Sequence, residues 1–160
     1  MPDSTRGGPS VRKILAAVDF SPVSKQVTEQ AASLAEAFSA ELTLVHVAAP
    51  DPEFVGYAAG PQSVRDDRAH EIRGEHRELQ STADGLRERG LAARALLVQG
   101  PPVKSILAEA EKLQADVIVI GSHGHGALYR ALLGSVGEGV VRASQCPVLV
   151  VPAEGSKKSG

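Results

Sequence analysis

The sequence predicts an α/β fold: one domain built on an open five-stranded parallel sheet with helices on both faces. Three observations predict it. Five short apolar runs alternate with four helical patterns, and that alternation requires right-handed crossovers between parallel strands. The first and fourth runs hold the unbroken stretches ILAAV and VIVI, as strands covered on both faces do. The 160 residues suit one domain with a real core. Aromatics are only 3% and Trp is absent, so Val, Leu, Ile and Ala must fill that core.

The elements follow in order. Val11 to Asp19 (VRKILAAVD) is predicted as strand one. Ser21-Pro22 signals a helix start, with Ser21 as N-cap and Pro22 at the first helical position. Helix one then carries Val27, Ala31, Leu34, Ala35 and Phe38 on one face. Glu41 to Ala49 (ELTLVHVAA) is strand two. Residues 50–61 form a Pro/Gly/Ala-rich loop, long for a compact domain. Gln62 to Arg89 is a highly charged helix anchored by Val64, Ile72, Leu79 and Leu86, with Gly90 as its C-cap. Gly74 and Gly85 each weaken that helix by about 1 kcal/mol relative to Ala. Leu91 to Gln99 is strand three. Gly100-Pro101-Pro102 turns the chain into helix three, whose buried stripe is Val103, Ile106, Leu107, Ala110 and Leu113. Ala115 to Ile120 is strand four, Ser135 to Ser144 a short helix, and Cys146 to Pro152 strand five. The domain is predicted over 11–152, with disordered tails at 1–10 and 153–160.

Charge and composition exclude several function classes. Seventeen basic and 19 acidic residues give a net charge of −2, so no net field favours nucleic acid or an anionic membrane. The few aromatics argue against a stacking platform for single-stranded nucleic acid or carbohydrate. Cys146 is the single cysteine, so no internal disulfide forms, which fits a reducing compartment. The first ten residues hold no apolar signal core, and no apolar run approaches the roughly 20 residues of a membrane helix. A soluble cytoplasmic protein is expected.

The segment that asks for a function is GSHGHGALYRALLGS, Gly121 to Ser135, directly after strand four. In open α/β sheets a ligand binds beyond the carboxyl ends of the strands, where strand order reverses. Strands one and four are the expected central pair, so Asp19 and Gly121 should face one crevice. Glycines allow backbone angles closed to other residues and let a ligand approach the main chain. Gly134-Ser135 opens the next helix, whose unpaired N–H groups and dipole suit phosphate. Ser135 either caps that helix or donates its hydroxyl to a phosphate oxygen. Two other phosphate motifs fail: Ala127-Leu128 stand where a P-loop needs Lys-Ser/Thr, and the glycine order is not that of a dinucleotide fingerprint.

The spacing that fits is G-x2-G-x9-G-[ST]: Gly121, Gly124, Gly134 and Ser135. With KILAAVDFS, LVHV, ADVIVIGSHG, LLGSV and CPVLVVP, the chain from Val11 to Pro152 resembles the nucleotide-binding branch of the universal stress protein family. The resemblance implies sheet order 3-2-1-4-5, an adenine nucleotide alpha-hydrolase-like fold, and ATP, ADP or AMP at the switch point with Mg²⁺ accompanying it. By position, Asp19 would contact the ribose or adenine edge, beside Ala17 and Val18, and Val47 would line the adenine pocket. Ile120 and Gly121 would border the nucleoside, and His123 and Gly124 would approach the sugar and phosphate. Gly134, Ser135, Val136 and Gly137 would hold the phosphates; Gly137 stands where relatives often carry a hydroxyl, leaving a backbone donor alone. The resemblance also implies a homodimer through the last strand, Pro147 to Val151, and an apolar edge strand does call for a cover.

Plainer readings hold for other residues. His46, inside an apolar strand, reads as a satisfied core histidine, and His70 and His76 as solvated. His123 and His125 make a weak metal pair without a third ligand. Arg65, Asp66, Asp67, Arg68, Glu71 and Arg73 read as an exposed face, and Cys146 as a small core or interface residue. Arg130 is surface or reaches the phosphates. The expected function is a nucleotide-gated regulatory dimer with slow or no hydrolysis and an unknown protein partner. No Lys lies in the glycine segment, and Glu138 is the nearest candidate base. The alternatives are a slow ATPase and a scaffold of the same fold that binds no nucleotide.

Overall fold

The computed structural model describes residues 10–49, 62–123 and 133–153. The 50–61 loop, most of both tails, and Gly124, His125, Gly126 and Arg130 lie outside the described residues. The elements are β1 (Lys13–Ala17), α1 (Ser24–Phe38), β2 (Glu41–Ala48), α2 (Gln62–Glu88), β3 (Ala93–Gln99), α3 (Pro102–Leu113), β4 (Val117–Gly121), α4 (Ser135–Ala143) and β5 (Val148–Val151). They form one five-stranded sheet in the order β3-β2-β1-β4-β5. Every pairing is parallel, with Leu15 opposite Thr43 on one side of β1 and Ile118 on the other.

Strand alternation sends side chains to two cores. Ile14, Ala16, Leu42, Leu44 and Val119 pack with Val27, Ala31 and Ala35 of α1 and Leu79, Ala83 and Leu86 of α2. On the other face Leu15, Val45, Ile118 and Ile120 pack with Ile106 and Ala110 of α3 and Val140 of α4. The small alanines on α1 and α3 let helices settle close to the sheet. At about 25 cal/mol per Å² of apolar area, these two layers supply the main drive to fold.

Local signals were corrected in three places. Ser21 does not cap α1: Val23 occupies the N-cap position without a side-chain bond, and the helix begins at Ser24. The reason is a turn between Ser21 and Val23, in which the Ser24 N–H binds the Ser21 carbonyl at 2.9 Å. Ser135 is likewise the first helical residue of α4 and not its cap, which is Gly134. Phe38 is 50% exposed, because it is the last residue of α1, at the helix end away from the crevice. Gly90 takes the positive φ expected of it, but α1 and α3 close on Ser39 and Gln114 in left-handed conformations without any glycine. No described helix is long and apolar enough to cross a membrane.

Candidate functional site

β1 and β4 are neighbours, yet their following helices leave on opposite faces, and a cavity of about 380 Å³ opens beyond their carboxyl ends. Ala17, Val18 and Asp19 enter it from β1, Val47 from β2, and Ile120, Gly121 and His123 from β4. Gly134, Ser135, Val136 and Gly137 enter it from the start of α4. These eleven candidates thus share one space; Gly124, the twelfth, lies outside the described residues. The volume and the mixed lining suit a small-molecule site.

The sequence reading missed Val23, Ser24, Val27, Val45, Pro102, Ile106 and Ser122, which also line the cavity. Val45 was within reach of inference, since it shares a strand face with Val47. Pro102 and Ile106 were not, because nothing local says which helix end reaches the crevice. Together Val45, Val47, Ile106 and Ile120 form an apolar flank suited to a flat ring, while Asp19 and the α4 start supply polar groups.

The β1–α1 turn is held by side-chain bonds. The Val18 N–H binds the Val45 carbonyl at 2.9 Å, extending β1 toward the cavity. The Asp19 Oδ1 accepts from the Ser21 N–H at 3.0 Å and the Ser24 hydroxyl at 3.0 Å. The Asp19 N–H in turn donates to Ser24 Oγ at 3.2 Å. Asp19 therefore braces its own turn while facing the cavity. Phe20 sits at φ 59°, a region costly for an aromatic residue.

The β4–α4 side is built differently. A Cβ on Gly121 would stand 2.6 Å from Val23 Cγ1 and 3.2 Å from the His123 carbonyl. Its φ is not positive, so Gly121 is needed here for close approach and not for unusual backbone angles. Ser122 ties the region together. Its N–H binds the Val151 carbonyl at 2.8 Å, its carbonyl accepts from the Gly134 N–H at 2.7 Å, and its hydroxyl accepts from the Ala153 N–H at 3.2 Å. Ser122 Oγ also lies 2.7 Å from His123 Nδ1, which orients that ring at the cavity wall. In α4 the Glu138 N–H reaches back to the Gly134 carbonyl, which leaves the N–H groups of Ser135, Val136 and Gly137 outside the helix ladder. Such a helix start attracts anions.

No cluster of potential metal ligands occurs among the described residues, and no Lys or Arg is among those lining the cavity. Glu138 points its charge elsewhere: it is exposed and paired with Arg142 at 2.6 Å. Arg68, expected on an exposed face, is partly buried and donates to the Ala49 carbonyl at 2.6 Å. At the opposite, amino-terminal ends of the neighbouring strands β1 and β4, Asp116 accepts from the Arg12 and Lys13 N–H groups at 2.8 and 2.9 Å, and these bonds hold its carboxyl below the usual range.

Comparison with known proteins agrees with this architecture. The chain is similar to the universal stress protein YxiE of Bacillus subtilis, with 31% identity over 144 residues, covering 87% of this chain and 97% of that one. The solved structure of MJ0577 from Methanocaldococcus jannaschii superposes with a TM-score of 0.72 at 28% identity, covering 92% and 99% of the two chains. An Archaeoglobus fulgidus universal stress protein solved in complex with dAMP shares the fold, with a TM-score of 0.59 at 22% identity over 88% and 98% of the chains. Residues 10–152 match the universal stress protein family profile, and the chain belongs to that family.

Proposed function

We propose that this protein binds ATP in the cavity at the β1/β4 switch point and acts as a nucleotide-gated regulatory dimer in the cytoplasm. The observation that carries the reading is the convergence of Asp19, Gly121 and the open start of α4 on one cavity flanked by valines and isoleucines. Asp19 takes the ribose or adenine edge, and Ala17, Val18, Val47 and Ile120 enclose the base. Gly121 and His123 border the sugar and first phosphate, a role that the family resemblance also gives to Gly124. The N–H groups of Ser135, Val136 and Gly137, with the Ser135 hydroxyl, receive the distal phosphates. The Gly137 N–H serves without a side-chain hydroxyl. That a protein of this fold is solved with dAMP supports an adenine nucleotide. Mg²⁺ fits as an ion carried by the phosphates and water, since the donors present here are backbone N–H groups and suit anions.

Binding without rapid turnover follows from the same lining. Fast phosphoryl transfer needs positioned cations and a group that orients the nucleophile. The described cavity residues offer neither a Lys nor an Arg, and their one carboxylate, Asp19, braces its turn. The dimer would form on β5, the outer strand, where Leu149 is 38% exposed.

Freshly purified protein is extracted with acid and the released nucleotide identified by mass spectrometry. Stripped protein is then titrated with MgATP by calorimetry while phosphate release is followed. Tight binding with slow or no release is the expected result. No bound nucleotide and no binding in a second assay would mean a scaffold of the same fold. L149D is expected to sediment as a folded monomer; a folded dimer would rule out the β5 interface.

A further inference from the structure

Three buried side-chain polar atoms lack a hydrogen-bond partner among the described residues: Ser21 Oγ, His46 Nε2 and Glu75 Oε2. Two of them face each other. His46 Nε2 and Glu75 Oε2 stand 3.5 Å apart, with His46 6% exposed on β2 and Glu75 on α2. The other ring nitrogen, Nδ1, lies 2.9 Å from the Val18 carbonyl. A carbonyl only accepts, so Nδ1 carries a hydrogen. Nε2 then either holds a proton toward Glu75 or turns a bare lone pair on a buried carboxyl oxygen. The second arrangement leaves two buried acceptors unsatisfied, which is costly. One proton on the Nε2–Oε2 line satisfies both.

The position of the pair gives it consequence. His46 binds the Val18 carbonyl, and its ring packs on Phe20 with centroids 4.5 Å apart. Phe20 holds its left-handed φ of 59° against that ring. Residues on both sides of Asp19 are thus fixed by one histidine, while Asp19 itself faces the cavity. Val45 and Val47 line the cavity from the opposite face of the same strand.

We propose that His46 and Glu75 are positioning residues for the nucleotide site, sharing one proton through which helix α2 sets the Val18–Asp19–Phe20 turn. The proposal rests on the nucleotide reading above. It goes further in making α2 an element that holds one wall of that site. Several charged groups lie on the elements packed against this corner. On α2, Arg68 is paired with Glu71, and His76 and Glu78 flank Glu75. On α1, Glu29 is paired with Arg89, and Lys25 lies near the turn. On β3, Leu97 is opposite His46, and Arg94 donates to Thr43 Oγ1. Asp19 is engaged by Ser21 and Ser24.

The test uses the full chain as wild type, E75Q, E75L and H46N. MgATP affinity is measured by calorimetry at neutral pH. Amide hydrogen exchange of Ser21 and Ser24 is followed in nucleotide-free protein. E75Q can donate its amide N–H to Nε2, so it should bind more tightly than E75L. E75L should bind about fivefold more weakly at neutral pH, the worth of one hydrogen bond. H46N can keep the Val18 bond but not the Glu75 line, so it should match E75L, and it serves if E75L does not fold. Wild-type affinity in E75L and H46N, or an E75Q affinity no better than that of E75L, overturns the proposal. If wild type binds no MgATP, the nucleotide reading fails instead. The exchange rates then decide the clamp: it stands if E75L speeds Ser21 and Ser24 exchange more than that of α3, and falls if it does not.

Discussion

The two turns that flank the cavity are built by opposite means. The β1–α1 turn is made of side-chain bonds: Asp19 to Ser21 and Ser24, and His46 to Val18. The β4–α4 side is made of missing side chains, with Gly121 against Val23, Gly137 against Leu133 and Gly139 against Val103. One turn presents a fixed carboxylate to the cavity. The other lets Val23, Leu133 and Val103 close directly on glycine backbone beside the open N–H groups of the α4 start. The proposed nucleotide would use both, a fixed carboxylate for the ribose and open N–H groups for phosphate.

The comparison breaks most visibly where room is filled. G121V places a branched side chain against Val23 and is expected to cost about 2–3 kcal/mol, lowering the melting midpoint by about 5–10 °C. V23A should recover part of the loss from G121A in a double-mutant cycle; strict additivity would mean that the two residues do not compete for space. D19A removes the acceptor from two donors and is expected to cost about 2 kcal/mol, read from urea denaturation. A loss of a few tenths would show that the turn is not held by its bonds. G139A is a finer test. Its Cβ would lie 2.7 Å from Val103 Cγ2, and the helix propensity gain of about 1 kcal/mol opposes that contact. G139A should be near neutral alone and stabilising with V103A.

The smallest effect is at Asp116, which braces the amino ends of β1 and β4 as Asp19 braces the turn at the crevice. Its folded carboxyl titrates below the unfolded one because the Arg12 and Lys13 N–H groups favour the charged form. The stability it contributes is therefore present above the unfolded value of about 4 and is lost as pH falls through the lower folded value. Melting curves of wild type and D116N should differ at neutral pH and converge in acid. A gap that widens in acid would refute this role.

Much of the site was legible because its signals are short-range. The family resemblance, carried by the glycine spacing and the strand motifs, named eleven residues that line one cavity. Ser122 was not legible, though it sits inside the quoted segment. Its role depends on Val151, Gly134 and Ala153, residues brought in from β5 and α4. His46 read as a satisfied core residue, and one nitrogen is satisfied; its partner Glu75 sits 29 positions further along the chain in a charged helix that gave no sign of it. Ser21 looked like a helix cap because Ser-Pro is a common start, but the turn closed by the Ser24 N–H on the Ser21 carbonyl puts the helix start at Ser24.

The sequence by itself determined the alternation of strands and helices, the apolar stripes that build two cores, and the glycines at the fourth strand. Those features act between residues a few positions apart, where pattern and conformation are directly linked. Tertiary structure alone decided that Gly121 must be small because Val23 approaches it, that Ser122 joins three elements, and that His46 and Glu75 meet. These are contacts between segments far apart in the chain. Their distances are set by how helices settle on a twisted sheet, and no local pattern encodes that settling.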